Sequence, residues 1–311
     1  MKNSYVLGIG AANVDIYGKS DIKIRQHYDH PANISSSPGG VTRNILANYV
    51  KLGGHSKIIS AIGDDLFGKM ILEGFKKNHI DTEDIMIVED GKSGVFMQVM
   101  DEDNDMYLAL CDMSILKNLT PDYLVCKEGV ILNSQLVICD PSLDDEVLEE
   151  LFRICEGRVK IFADPISDNY AEKLSRYVPY FSCLKPNRKE LEYLSGIETD
   201  DDEGINRATL SLLEKGVQKV FVSLGKDGLL YMDRQGNKIR KKLKPVENMI
   251  NASGAGDAMM AAIIYGEVEG LDVEKTVDYG LAAGKAAILS KETLNQEMSV
   301  ELLNKICRED R

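Results

Sequence analysis

The chain has 311 residues, with 37 Lys and Arg against 50 Asp and Glu, and a formal net charge of −13. Apolar residues make up 44% and charged residues 28%, enough for a sizeable core and too ordinary for a disordered chain. The acidic balance disfavours nucleic acid and anionic membrane as partners, since both are polyanions.

No run approaches the ~18–20 apolar residues of a membrane span. The opening MKNSYVLGIGAANVD reads as a first strand rather than a signal peptide. Six scattered cysteines form no CxxC pair and four histidines form no HxxxH pair. Neither a zinc site nor a disulfide framework is expected, and the predicted location is the reduced cytoplasm.

Taken in order, YVLGIG (5–10) is a predicted buried strand. Residues 14–37 are polar and lack a helical period. PGGVTRN (38–44) then leads into a helical pattern, ILANYVKLGG, and SKIISAIG (56–63) is a second strand. Residues 94–111 read VFMQVM, an acidic turn DEDND, then MYLALC, a β-hairpin pattern. QLVICD (135–140), KIFADP (160–165) and KVFVSLG (219–225) are further strands. Between the first two of these, LDDEVLEELFRICE sets Val147, Leu148, Leu151, Phe152 and Cys155 on one helical face. Such alternation predicts a mostly parallel sheet with helices on both faces. The two irregular stretches, about 14–37 and 94–112, are expected to form a small separate sheet within one domain spanning 1–311.

The motifs differ in how much they say. GIGAAN (8–13) lacks the third Gly of a dinucleotide fingerprint, and YGKS and DGKS lack the upstream Gly of a P-loop. PNRKE (186–190) spaces Asn187 and Glu190 as a helix capping box. NASGAGDAMMAAIIYG (251–266) puts a Gly-Ala-Gly turn at a helix start, where free N–H groups and the helix dipole suit a phosphate. Asp257 in that first turn is placed to accept a proton from an attacking hydroxyl; simple capping is the alternative. SLGKDG (223–228) turns sharply at the carboxyl end of a strand, a position suited to nucleotide binding.

These pieces, in this order and over nearly the whole chain, resemble the ribokinase-like (PfkB) carbohydrate and nucleoside kinases. The first family signature matches Gly39, Gly40, Asn44, LANYVKLGG and AIGDDLFG; the second matches NASGAGDAMMAAIIYG. The resemblance implies a three-layer α/β/α sandwich with a small β-sheet lid formed by about 14–37 and 94–112. It implies that Asn13, Asp15, Gly39, Gly40 and Asn44 hold ribose hydroxyls, and that backbone N–H groups of Gly254, Ala255 and Gly256 form an anion hole. By the same resemblance Asp257 is the base, while Asn187, Ser223, Gly225 and Gly228 lie by ATP. Asn187 and Glu190 organise Mg²⁺ through water.

Within the family, GAANVDIYG, SSPGGVTRNIL, MYLALCDMSI and SKETLN are most like the pseudouridine-kinase branch. The implied activity is transfer of phosphate from ATP to a 5′-hydroxyl, with free ribose or another nucleoside as alternative acceptor. A sugar-binding regulator that has lost activity is a third reading. Many relatives carry Asp where this chain has Asn251; a neutral amide holds K⁺ less well, which puts potassium activation in question. The resemblance also implies a homodimer through the lid, whose edge strand could pair with a second subunit.

Overall fold

Strands buried on both faces need apolar side chains at every position, and this sets the frame of the molecule. The computed structural model describes residues 4–103, 105–244, 246, 250 and 253–310. Strands β1 (Val6–Ile9), β4 (Ser56–Gly63), β8 (Leu136–Cys139) and β9 (Lys160–Ala163) lie at the predicted runs, and the first and third are wholly buried. With β5 (Ile85–Val88), β10 (Cys183–Leu184), β11 (Lys219–Ser223), β12 (Leu229–Asp233) and β13 (Lys238–Lys241) they form a nine-stranded sheet, in the order β13-β12-β11-β10-β9-β8-β1-β4-β5. The pairs from β5 to β11 are parallel; β12 and β13 are antiparallel additions at one edge.

Alternate residues of each strand feed opposite faces. Leu7 and Ile9 join one apolar cluster and Val6 the other. The first cluster takes Val147, Leu148, Leu151, Phe152 and Cys155 from α5 (Asp145–Cys155), as the helical period predicts, with Ile154 added. It also takes Leu191 from α7 (Arg188–Ser195) and Leu212 from α8 (Asp202–Glu214). The second takes Ile45 and Leu46 from α1 (Val41–Lys51), Phe75 from α2 (Leu66–Lys77), and Met260 and Ile263 from α9 (Ala255–Val268). Helix α10 (Val273–Ile288) packs on α9, which is therefore apolar on nearly every side. Helix–sheet–helix is the predicted three-layer sandwich.

The two irregular stretches form a second sheet, in the order β3-β2-β6-β7, from β2 (Asn13–Ser20), β3 (Ala32–Gly39), β6 (Gly94–Met100) and β7 (Met106–Asp112). Two antiparallel hairpins meet along the parallel pair β2–β6. Asp101 Oδ1 closes the acidic turn by accepting the Asp103 and Asp105 N–H groups. Strand β2 begins four residues after β1 ends, and β3 runs through Gly39 into α1. The small sheet is thus rooted at the carboxyl ends of the parallel strands, where open α/β sheets bind ligands.

Candidate active site

Asp140, just past β8, gathers the floor of this region. Its Oδ2 accepts the Ala11 N–H (3.0 Å) and the Thr42 hydroxyl (2.8 Å), and its Oδ1 accepts from Ser142. A Cβ on Gly10 would overlap the Asp140 side chain, so only glycine lets the two loops meet.

The sheet register sets Asn13 opposite Gly39, and Asn13 Nδ2 donates to Asp15 Oδ1 (2.7 Å). A Cβ on Gly39 would overlap the Asp15 carboxylate. Gly40, the residue before α1, has φ 102°, and a Cβ there would lie 2.7 Å from the Ala11 carbonyl. The Gly-Gly pair is therefore a place where two backbone segments and a carboxylate crowd together. Burial pushes the Asp15 carboxyl up, offset in part by its Asn13 bond and by Arg43.

Gly254, in the left-handed region at φ 79°, turns the chain into α9, and Asp257 falls in the first turn. Asp257 Oδ2 accepts Asn44 Nδ2 (2.9 Å) from a helix 213 residues earlier; among the described residues no backbone N–H donates to it. Its carboxylate is therefore spent on a tertiary contact rather than on capping. Burial, then the nearby Asp164 charge, push its pKa up to about 7, against the Asn44 bond and Lys185.

Beside the Gly-Ala-Gly turn lies a buried ion pair, Lys185 Nζ to Asp164 Oδ2 at 2.9 Å. A Cβ on Gly256 would sit 3.4 Å from Lys185 Nζ, so the ammonium faces this turn at close range. Asn187 and Glu190 form the capping box in full: Asn187 Oδ1 accepts the Glu190 N–H and Glu190 Oε2 accepts the Asn187 N–H. Burial and Asp164 raise the Glu190 pKa. Asn187 bridges Ser223 at the end of β11, and Gly225 (φ 58°) and Gly228 (φ 91°) make the turn that follows. Asn251 lies outside the described residues.

Two groups of the expected residues thus meet around Asp257: Asn13, Asp15, Gly39, Gly40 and Asn44 on one side, and the 254–256 turn on the other. Asn187, Glu190, Ser223, Gly225 and Gly228 form a third group at the ends of β10 and β11. Sequence reasoning missed Arg43, Asp140, Asp164 and Lys185. The signal for the first lay inside PGGVTRN, and for the last two in KIFADP and the lysine before PNRKE, at strand carboxyl ends. An open cleft of about 480 Å³ between Lys117, Asp145, Lys173 and Arg176 contains none of these residues.

No three His, Cys, Asp or Glu side chains among the described residues converge to hold a metal directly. Asn187 and Glu190 offer hard oxygen donors of the kind Mg²⁺ takes through its waters. Lys185 and the start of α9 offer the positive end that a polyphosphate needs. The residues fit a metal that arrives with nucleotide.

The chain is similar to known kinases in both sequence and fold. The chain is 29% identical over 300 residues to the pseudouridine kinase of Escherichia coli K12, covering 96% of this chain and 95% of that one. It is 28% identical over 300 residues to the uncharacterized sugar kinase YeiI of the same organism, covering 96% and 82%. A solved E. coli structure assigned as a ribokinase II, in complex with ATP and Mg²⁺, has a TM-score of 0.84 at 20% identity, over 98% of this chain and 99% of that one. The model of the pfkB family of carbohydrate kinases, phosphotransferases with an alcohol acceptor, matches residues 3–299, and the chain belongs to that family.

Proposed function

We propose that the protein transfers the γ-phosphoryl group of ATP to the 5′-hydroxyl of pseudouridine, giving pseudouridine 5′-phosphate and ADP. The observation that carries the phosphotransfer is Asp257, a buried carboxylate at the start of α9, held by Asn44, with a pKa near neutrality; the choice of pseudouridine as acceptor rests on the similarity to the E. coli pseudouridine kinase. A base poised near the working pH is the best proton acceptor for a weakly acidic alcohol. Asp257 takes the hydroxyl proton as the new O–P bond forms in line and the bond to ADP breaks.

Asp15, with Asn13, Gly39, Gly40 and Asn44, holds the ribose; one carboxylate accepts two hydrogen bonds from a vicinal diol. The N–H groups of Gly254, Ala255 and Gly256 stabilise charge on the transferring group. Asn187, Ser223, Gly225 and Gly228 lie against the nucleotide, and Asn187 with Glu190 would hold Mg²⁺ through water. A metal held there would supply charge neutralisation for the phosphates. The small sheet acts as a lid on the 1–311 domain and excludes water on closing. Its β7 edge exposes Tyr107, Leu108 and Leu110, a strip on which a second copy can pair. No helix among the described residues is long and apolar enough to cross a membrane.

The near-equal similarity to YeiI supports a second reading, the same chemistry on another nucleoside or sugar. ADP release with pseudouridine, uridine, adenosine, ribose and fructose side by side separates the two. The proposal expects the highest kcat/KM with pseudouridine; a higher value with ribose or adenosine rejects it. Tight sugar binding with no ADP from any acceptor supports a non-catalytic regulator instead.

A further inference from the structure

We propose that Arg43 is a positioning residue for the candidate base: by fixing the amide of Asn44, it holds Asp257 in the ionised form that accepts a proton. The inference rests on the reading of Asp257 as that base. Arg43 is only 7% exposed, yet among the described residues its Nε finds no hydrogen-bond partner, a costly arrangement for a group with no task beyond packing. Its Nη1 donates to Asn44 Oδ1 at 2.9 Å, and Asn44 Nδ2 donates to Asp257 Oδ2 at 2.9 Å. All three side chains are buried.

An amide has a donor end and an acceptor end. Turned over, Asn44 would present its carbonyl to Asp257 and could pair only with the protonated acid. A guanidinium has donors and no acceptor, so it accepts one orientation of Asn44 alone, with the NH₂ toward Asp257. A hydrogen bond donated to a carboxylate favours the ionised form. Once Asp257 has taken the hydroxyl proton, the locked amide offers that acid no acceptor, and the proton is readily released for the next turnover.

The other charged groups facing Asp257 are Asp15 from β2, Asp164 beyond β9 and Lys185 beyond β10. The two carboxylates oppose ionisation and Lys185 favours it. Arg43 itself stays a cation: burial lowers its pKa to about 10, against the charges of Asp15 and Asp257, which raise it.

The test is the pH profile of kcat/KM, with the best acceptor of the panel above, for wild type, Arg43→Met, Arg43→Lys, Asn44→Ala and Arg43→Met/Asn44→Ala. Arg43→Met should move the acid limb upward by about one pH unit, roughly a tenfold loss at pH 6, with little change on the alkaline plateau. Arg43→Lys, which still donates, should restore the limb. Asn44→Ala should move it as Arg43→Met does, and the double variant no further. An unmoved limb in Arg43→Met, or additive shifts in the double variant, overturns the proposal. Where Arg43→Met does not fold, a limb that differs between Asn44→Ala and Arg43→Lys/Asn44→Ala overturns it equally. Asp257→Asn separates the two levels: if it keeps its activity, the base and the relay both fall. If it is inactive while the Arg43→Met limb stays in place, only the relay falls.

Discussion

Replacing Lys185 by Met removes one half of an ion pair whose side chains are 4% and 8% exposed, at 2.9 Å. Methionine refills the volume, so the loss is electrostatic: Asp164 is left charged and desolvated. Lys185 is a cation throughout the neutral range: burial would lower its pKa, but Asp164, joined by Glu190 and Asp257, raises it on balance. Breaking a buried pair in this way costs about 3–5 kcal/mol, whereas removing both charges is close to neutral. At roughly 2 °C per kcal/mol for a chain this large, Tm should fall by about 6–10 °C. The double variant Lys185→Met/Asp164→Asn should recover most of that stability. Differential scanning fluorimetry at pH 7 reads both. In an ADP-release assay neither variant should recover wild-type KM for ATP, since both lack the ammonium beside Gly256. A Lys185→Met protein melting within about 2 °C of wild type, or a double variant no more stable than the single, would refute this reasoning.

Further consequences follow from the same geometry. With Asp257 at a pKa of about 7, kcat/KM should be about tenfold lower at pH 6 than at pH 8, and a flat profile over this range contradicts the assignment. Gly10→Ala drives a methyl into Asp140 and should cost about 1–3 kcal/mol by denaturant titration, with a raised KM for the acceptor as the Ala11 and Thr42 contacts shift. Asn187→Ala removes a helix cap and should cost about 1 kcal/mol. If capping were its whole task, kcat and the KM for ATP at 25 °C would not change; the proposed nucleotide role expects KM to rise.

How legible each part was depends on where its determinants lie. Strands β1, β4, β8, β9 and β11 could be read because a strand buried on both faces leaves an unbroken apolar run in the sequence. The small sheet was visible by default: 14–37 and 94–111 carry no helical period, and an acidic turn separates two alternating runs. Strand β10 has two residues, too few for any periodic signal, and is defined by its neighbours on either side.

The glycines of the candidate site were legible because close approach leaves few alternatives to Gly at 39, 40 and 254. Arg43, Asp164 and Lys185 were not, since charged residues ordinarily mark the surface. Lys185 pairs with Asp164, 21 positions earlier, and Arg43, besides its bond to the adjacent Asn44, feels the charges of Asp15 and Asp257, 28 and 214 positions away, which no local pattern encodes. Capping of α7 was equally plain in PNRKE, and the full box at Asn187 and Glu190 shows that a structural task and a proposed ligand role share the same residues.

The central claim is that Asp257 is a base maintained at a cost to the fold, and Asp257→Asn tests it most directly. Burial raises the folded-state pKa from 3.8 to about 7, so stability from the protonated acid is present at low pH and is lost as pH rises through neutrality. The amide carries no charge to desolvate and avoids that loss. The account predicts that Asp257→Asn melts higher than wild type at pH 8, by a margin that shrinks toward pH 5, while ADP release falls by roughly 10²–10⁴-fold. A folded Asp257→Asn protein that keeps most of its turnover would contradict it.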